Sequence, residues 1–315
     1  MTIAVGYVAV DDGPCLTLRA MASQLPGTWL PQVGRWTSEL LAREIGLLIC
    51  GTSDSSAGGQ READARLAGN ELGIPLVVIE DFPGNYSAVR GGKPRLLVVS
   101  AEFDANLARA KDSPLEVQIC PNVRYDALRK RLAELRSERT ADGNAVLWIG
   151  QPETADSLET LKRLLPALHR QKVCFRAHPR DAGHARGAYA GLPIEDLTDY
   201  PLEECLAQRP RLVITQFSSV AIEAGFWAIP SLNVLFPDLG GRRLAMHKGY
   251  SVPPWCADGA AFLIVRQQDV ESVVDHALRS TAARRAVIES FDQYFQVDTE
   301  GASTLINVLY NQGLL

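Results

Sequence analysis

The sequence predicts an α/β protein made of two successive parallel-sheet halves with a cleft between them. Three observations carry this. Short apolar runs alternate with longer helical stretches, as in chains that build parallel sheets. The runs are unbroken and lack an in/out alternation, so they suit strands covered by helices on both faces. The pattern also restarts after a charged break near residue 140, and 315 residues exceed what one small core needs.

In the first half the expected strands are Thr2–Val10, Leu47–Cys50, Leu76–Ile79, Leu96–Val99 and Val117–Cys120, with helices over Gln60–Leu72 and Tyr125–Arg136. The segment Ser137–Asn144 is charged, contains Asp142-Gly143 and reads as the connection. The second series begins with strand Ala145–Ile149, helix Ser157–Arg170, strand Val173–Ala177 and a helix around Leu202–Gln208. Strand Leu212–Thr215, helix Val220–Trp227 and strands at Ser231–Leu235 and Ala261–Val265 follow, then helices over Gln268–Ser280, Arg284–Tyr294 and Gly301–Leu309. The expected division is residues 1–140, residues 141–290, and a C-terminal segment 291–315 open to packing back on the first domain.

Hydrophobic residues make up 46% of the chain and charged residues 22%, the balance of a globular protein. A net charge of −5 argues against a nucleic-acid surface, and the basic cluster Arg242, Arg243 and Lys248 is too local to reverse that. No apolar run reaches the roughly 20 residues that span a bilayer, which leaves peripheral association open. The N-terminus lacks a basic start and meets Asp11 and Asp12 at once, so it reads as a strand and not a signal peptide. Six scattered cysteines without a CxxC pair, several inside apolar runs, argue against a zinc site or disulfide framework and fit a reducing cytoplasm.

Ligands of such sheets bind beyond the carboxyl ends of strands, so the loops there carry the candidates. In Leu212–Pro230 a strand leads through Gln216-Phe217 to Ser218 and Ser219 at the start of a helix. Free N–H groups and the helix dipole make that end an anion site, and two hydroxyls there can hold a phosphate. Glu223, one turn on from Ser219, is placed to accept hydrogen bonds from ribose hydroxyls. The alternative is plain capping by Ser218 and a solvated Glu223. In Val173–Arg180, His178 stands directly before Pro179, which fixes an extended turn. An imidazole held there can donate to a phosphate oxygen or protonate a leaving group, although a lone histidine is more often structural.

Glu80 and Asp81 follow four apolar residues, and Pro83-Gly84 makes a turn expected to expose both. Either could serve as general base towards an acceptor hydroxyl, or be an ordinary acid at a strand end. Gly51–Gly59 lacks GxGxxG and the Walker lysine and is expected to be a flexible loop beside the acceptor. Asp11-Asp12-Gly13 ranks below Glu80 and Asp81.

A His-Pro pair after a strand, then a strand leading to paired serines and an "EA…G/P" helix, resembles the nucleotide half of GT-B glycosyltransferases. The likeness is closest to bacterial sialyltransferases and to capsule or teichoic-acid transferases with cytidine-linked donors. Cys120–Leu128 is similar to the stretch closing the first domain of such proteins, and Asp298–Ser303 to the start of their C-terminal helix. The resemblance implies two Rossmann-like domains facing a central cleft. It implies a cytoplasmic, metal-independent, inverting transfer of sugar from a nucleotide donor, CMP-linked by preference, to a glycan or lipid-linked hydroxyl, without a cofactor. Glu80 or Asp81 would be the base and His178 would assist the leaving phosphate. Ser218, Ser219, Glu223 and Pro179 would bind the nucleotide. In the family the acidic pair meets glycine directly, whereas Phe82-Pro83 intervene here. A nucleotide-sugar epimerase or hydrolase on the same fold, or a non-catalytic GT-B-like subunit, stays open beside the transferase.

Overall fold

A computed structural model describes residues 3–30, 36–87, 91–112, 114–137 and 143–315. Thr2, the expected start of the first strand, and residues 138–142 of the expected connection lie outside them. The chain divides into two compact units, Met1–Ala127 with Phe295–Leu315, and Leu128–Tyr294. The division falls inside a helix and not in the charged segment at 137–144, because Leu135 of that helix is buried among residues of the second unit.

The first unit runs β1 (Val5–Val8), α1 (Asp12–Ala22), β2 (Thr28–Trp29), α2 (Trp36–Ala42), β3 (Leu47–Cys50), α3 (Ser56–Glu71), β4 (Leu76–Ile79), β5 (Leu96–Val99), α4 (Glu102–Lys111) and β6 (Val117–Ile119), and ends where α5 (Asp126–Ser137) begins. Its strands form a parallel sheet in the order β2-β1-β3-β4-β5-β6. Successive residues of each strand face opposite layers, as the period-two geometry of a strand requires. Val5, Tyr7, Leu47, Ile49, Val77 and Ile79 share one core with α1, while Val8, Leu48, Cys50, Leu76 and Val78 share the other with α3 and α4. Burial on both faces is why these strands read as unbroken apolar runs.

The second unit continues with β7 (Ala145–Ile149), α6 (Thr154–Leu164), β8 (Lys172–Arg176), β9 (Glu195–Asp196), α7 (Leu202–Ala207), β10 (Leu212–Thr215), α8 (Val220–Phe226), β11 (Ser231–Val234), α9 (Gly240–Lys248), α10 (Pro254–Ala257), β12 (Phe262–Ile264), α11 (Val270–Arg279) and α12 (Thr281–Tyr294). Its sheet, also parallel, has the order β12-β11-β10-β7-β8-β9. Trp148, Phe175 and Ile214 fill one layer, and Leu147, Cys174 and Val213 the other. No helix among the described residues is long and apolar enough to cross a membrane.

The last helix, α13 (Gly301–Asn311), belongs to the first unit, where Ala302, Leu305 and Leu309 are fully buried beside α1. A carboxylate holds its N-terminus. Asp126 accepts from the N–H of Gly301 (2.8 Å) and of Ala302 (2.9 Å), a good match for the positive end of a helix dipole. Glycine is required at 301, because a Cβ there would lie 2.4 Å from the carbonyl oxygen of Pro121. The two stretches of the family resemblance, 120–128 and 298–303, thus meet at one capped helix. Asp126→Ala should cost about 1–3 kcal/mol in urea unfolding, since two buried N–H groups lose a charged acceptor. An unchanged unfolding midpoint would show that water replaces the carboxylate without loss.

Candidate functional site

In the second unit the chain starts at the middle of the sheet with β7, moves outward to β8 and β9, then crosses back to β10 on the other side of β7. Connections on either side of β7 therefore depart in opposite directions, and the crevice beyond the carboxyl ends of β7 and β10 is where open α/β sheets hold ligands. Three loops reach it: Gly150–Glu153 after β7, Ala177–Asp181 after β8 and Gln216–Ser219 after β10.

Buried amides tie the strand ends and α6 together at these loops. Gln151 donates through Nε2 to Thr215 Oγ1 (3.1 Å), and that hydroxyl donates to the carbonyl of Ile149 (3.1 Å), extending the β7–β10 pairing past its last ladder bond. Gln216 donates to Thr160 Oγ1 (2.7 Å) and the Asp156 carbonyl (3.3 Å) of α6, while its own carbonyl accepts from Asn233 of β11 (2.8 Å). All five side chains are buried, so each unpaired amide would cost on the order of 1–3 kcal/mol.

His178 is half-buried directly after β8. Its Nδ1 accepts the backbone N–H of Arg180 at 3.0 Å, which leaves Nε2 carrying the proton in the neutral ring. Burial, and then the charge of Arg180, push its pKa down to about 4. The imidazole therefore rests neutral and presents a single N–H donor. The turn that carries it is anchored by Asp181, whose carboxylate accepts from Thr154 Oγ1, Tyr189 OH (2.7 Å), Gly183 N–H (2.9 Å) and His184 N–H (3.2 Å). Burial alone would raise Asp181, but the hydrogen bonds from Thr154 and Tyr189 outweigh it and hold the carboxyl below its ordinary value. Pro179 is exposed at the tip of the turn.

Ser218 and Ser219 are half-buried after β10. The expected free N–H groups at the start of α8 are not there. Val220 N–H donates to Ser218 Oγ (3.2 Å), and those of Ala221 and Ile222 donate to the carbonyls of Ser218 (3.1 Å) and Ser219 (2.9 Å). The first turn tightens to i→i+3 bonds and satisfies the N–H groups of Val220, Ala221 and Ile222, so the two hydroxyls, not those three amides, are available as donors. Glu223 is half-buried on that first turn. Phe226 at the far end of α8 packs edge-to-face on Phe291 of α12 (5.1 Å), which fixes the helix.

In the first unit the equivalent switch lies between β1 and β3. Here the expectation that Glu80 and Asp81 are both exposed fails for Glu80. It is 4% exposed, its carboxylate accepts from Tyr86 N–H (2.7 Å), and burial, reinforced by Asp104 of α4, raises its pKa. The loop folds back over it because Tyr86 itself joins the core. Asp81 stays half-buried, with one carboxylate oxygen accepting from Thr52 Oγ1 (2.8 Å) and Asn85 Nδ2 (3.0 Å). Its other oxygen sits 2.5 Å from where a Cβ on Gly13 would be, so a larger residue at 13 would have to displace the carboxylate.

The Gly51–Gly59 loop, expected to be flexible, is pinned. Asp11 accepts from Ser55 N–H (2.8 Å) and Oγ (2.6 Å), and Glu62 from Ser53 N–H and Oγ (both 2.6 Å) and Val10 N–H (3.2 Å). Burial lifts Glu62 to about 7 despite the hydrogen bonds from Ser53, which pull the other way. Gln151, Thr154, Asp181 and Gln216 escaped sequence reasoning. The available signal was a polar residue set immediately after an apolar run, as Gln216 is after LVIT.

No family model matches the chain, and no curated protein matches it. Among solved structures, MurG from Acinetobacter baumannii superposes with a TM-score of 0.64 at 13% identity, over 98% of this chain and 100% of that one. A UDP-GlcNAc 2-epimerase from Methanocaldococcus jannaschii, in complex with UDP-GlcNAc and UDP, gives 0.59 at 14% identity, over 96% and 100%. The wall teichoic acid polymerase TagF gives 0.54 at 12% identity, over 99% and 89%. At these identities the likeness is one of fold: two Rossmann-like units of the GT-B kind.

The depressed pKa of His178 has a measurable sign. Between pH 6.5 and about 4 the unfolded chain takes up a proton that the folded imidazole refuses, so its contribution to stability is lost as pH falls through that window. His178→Gln should flatten this part of the stability-against-pH curve, measured by urea unfolding. An equally steep curve in the variant would place the effect elsewhere.

Proposed function

We propose that the protein is a metal-independent, inverting glycosyltransferase whose second unit binds a nucleotide sugar and whose Asp81 is the general base. The observation that supports this most is the set of neutral donors at the sheet's switch point. His178 Nε2–H, held in one tautomer by the Arg180 amide, follows β8, and the hydroxyls of Ser218 and Ser219 follow β10. Such preorganised donors suit an oxygen on which negative charge grows as a phosphate departs. Sequence adds that no Asp-x-Asp pair stands at these loops to hold a cation.

The step is a displacement. The acceptor hydroxyl loses its proton to the Asp81 carboxylate, its oxygen bonds to the anomeric carbon, and the bond from that carbon to the phosphate oxygen breaks. The electron pair stays on the phosphate, which accepts hydrogen bonds from Ser218, Ser219 and the neutral His178. Glu223 holds the ribose hydroxyls and Pro179 shapes the loop beside the nucleotide. A resting pKa of about 4 favours donation of a hydrogen bond by His178 over full protonation of the leaving group. Thr52 and Asn85 fix one oxygen of Asp81, as a base needs. Asp11 and Glu62 are spent on the Gly51–Gly59 loop, and Glu80 is turned inward.

The favoured donors are CMP-linked, from the family resemblance, and UDP-linked, because UDP is the nucleotide in the matched epimerase complex. The acceptor is a glycan or lipid-linked hydroxyl, and no cofactor is required. The same complex supports a second reading, epimerisation of a nucleotide sugar, which would convert donor with no acceptor present.

A thermal-shift panel of CMP, CDP, UDP and GDP tests the nucleotide site. A bound nucleotide at 100 times its dissociation constant adds about 2.7 kcal/mol, and no shift with any of them overturns the proposal. Asp81→Asn should lower sugar transfer about 10²–10⁴-fold and leave nucleotide affinity alone. A new sugar isomer formed by the wild type without acceptor favours the epimerase.

A further inference from the structure

The donors that meet the phosphate in the proposed site are all neutral. His178 rests uncharged, Ser218 and Ser219 offer hydroxyls, and the first-turn amides of α8 are already engaged. A nucleoside diphosphate linked to a sugar brings two negative charges, and anions desolvated without an opposing charge are costly. The complement must come from a cation next to these donors.

The arginines nearby are mostly committed. Arg243 is paired with Glu153 (2.5 Å) and Asp156 (3.4 Å), and Arg163 with Asp238 (2.7 Å) and Glu159 (3.0 Å). Arg176 donates to the carbonyl of Tyr200 (3.2 Å), and Arg186 to that of Ala182 (3.0 Å). Arg180 differs. Its side chain is exposed and has no hydrogen-bond or ion-pair partner among the described residues. Its own neighbour Asp181 makes no ion pair with it, because that carboxylate is held by four neutral donors. The acids of β9 are occupied as well, Glu195 by Lys172 (2.5 Å) and Asp196 by His184 (2.6 Å).

We infer that the Arg180 guanidinium is the phosphate-binding cation of this site and makes it selective for nucleoside diphosphates over monophosphates, which decides between the two donor classes proposed above in favour of UDP-linked over CMP-linked sugars; the inference rests on the nucleotide-binding role proposed there. One residue then acts twice in the same turn. Its backbone N–H sets the tautomer of His178, and its side chain supplies the charge that the histidine lacks. The geometry is local: the Arg180 amide lies 3.0 Å from the imidazole, and its guanidinium is close enough to help depress the imidazole pKa. The guanidinium fork suits two phosphate oxygens at once, which a lysine ammonium cannot match.

Isothermal titration of the full chain with UDP, UMP and uridine, and in parallel with CDP, CMP and cytidine, tests this in the wild type, Arg180→Gln and Arg180→Lys. The wild type should prefer the diphosphate over the monophosphate by about tenfold or more, as expected for one added charge-assisted contact. Arg180→Gln should lose most of that preference and leave nucleoside affinity unchanged, which also reports an intact fold. Arg180→Lys should recover part of it, because charge returns without the fork. A wild type indifferent to the second phosphate, or an Arg180→Gln variant as selective as the wild type, overturns the role of Arg180 while nucleotide binding stands. A wild type that binds none of the six ligands overturns the nucleotide site itself, and Arg180 with it.

Discussion

The pairing of β7 with β10 is the constraint on which the candidate site depends. Four residue pairs, from Leu212 with Val146 to Thr215 with Ile149, join two strands whose connections leave in opposite directions. Because both strands are buried on both faces, the chain can turn polar only past their ends. That is where Gln151 and Thr215 continue the contact as side-chain hydrogen bonds, and where Gln216 ties the same edge to α6. His178 and the serine pair inherit their positions from this framework, one strand away on either side or at its rim.

The buried carboxylates show how an acidic protein uses its charge. Asp126 caps α13, Asp181 anchors the His178 turn, and Asp11 and Glu62 hold the Gly51–Gly59 loop. Each accepts at least one N–H group that the fold leaves unpaired at a helix start or in a loop, together with a second N–H or a hydroxyl, which is the stabilising role open to a largely desolvated carboxylate. Such acids are architectural. Asp81 stands apart because two side chains, Thr52 and Asn85, hold one of its oxygens while it stays half-exposed.

The central strands were legible in the sequence because a strand covered on both sides must be apolar at every position. Leu47–Cys50, Leu76–Ile79, Leu96–Val99, Ala145–Ile149 and Leu212–Thr215 match their expected limits residue for residue. The edge strands β2 and β9 were not, since two-residue segments such as Thr28–Trp29 and Glu195–Asp196 are partly exposed and carry no burial signature. Helix α1 was hidden by its Asp-Gly-Pro start, which reads as a turn although proline suits a first helical turn. At the site, His178 and the serines were visible as residues. What could not be read was the state of their hydrogen-bonding atoms: the amides of α8 are used up, and Nδ1 of His178 is occupied by a main-chain group two residues on. Glu80 and Asp81, adjacent in sequence, separate because the loop after β4 folds back over Glu80 with the Tyr86 N–H and leaves Asp81 beside Thr52 and Asn85.

The capped helix α13 gives the first unit a discontinuous chain, since residues 128–294 of the second unit lie between Asp126 and the helix that it holds. During synthesis the second unit has all its strands before α13 leaves the ribosome, whereas the first must wait with the apolar surface later covered by Ala302, Leu305 and Leu309 uncovered. The first unit therefore becomes complete only after the whole of the second has been synthesised. The closing contact spans more than half the chain, so its loop-closure cost falls on the first unit alone.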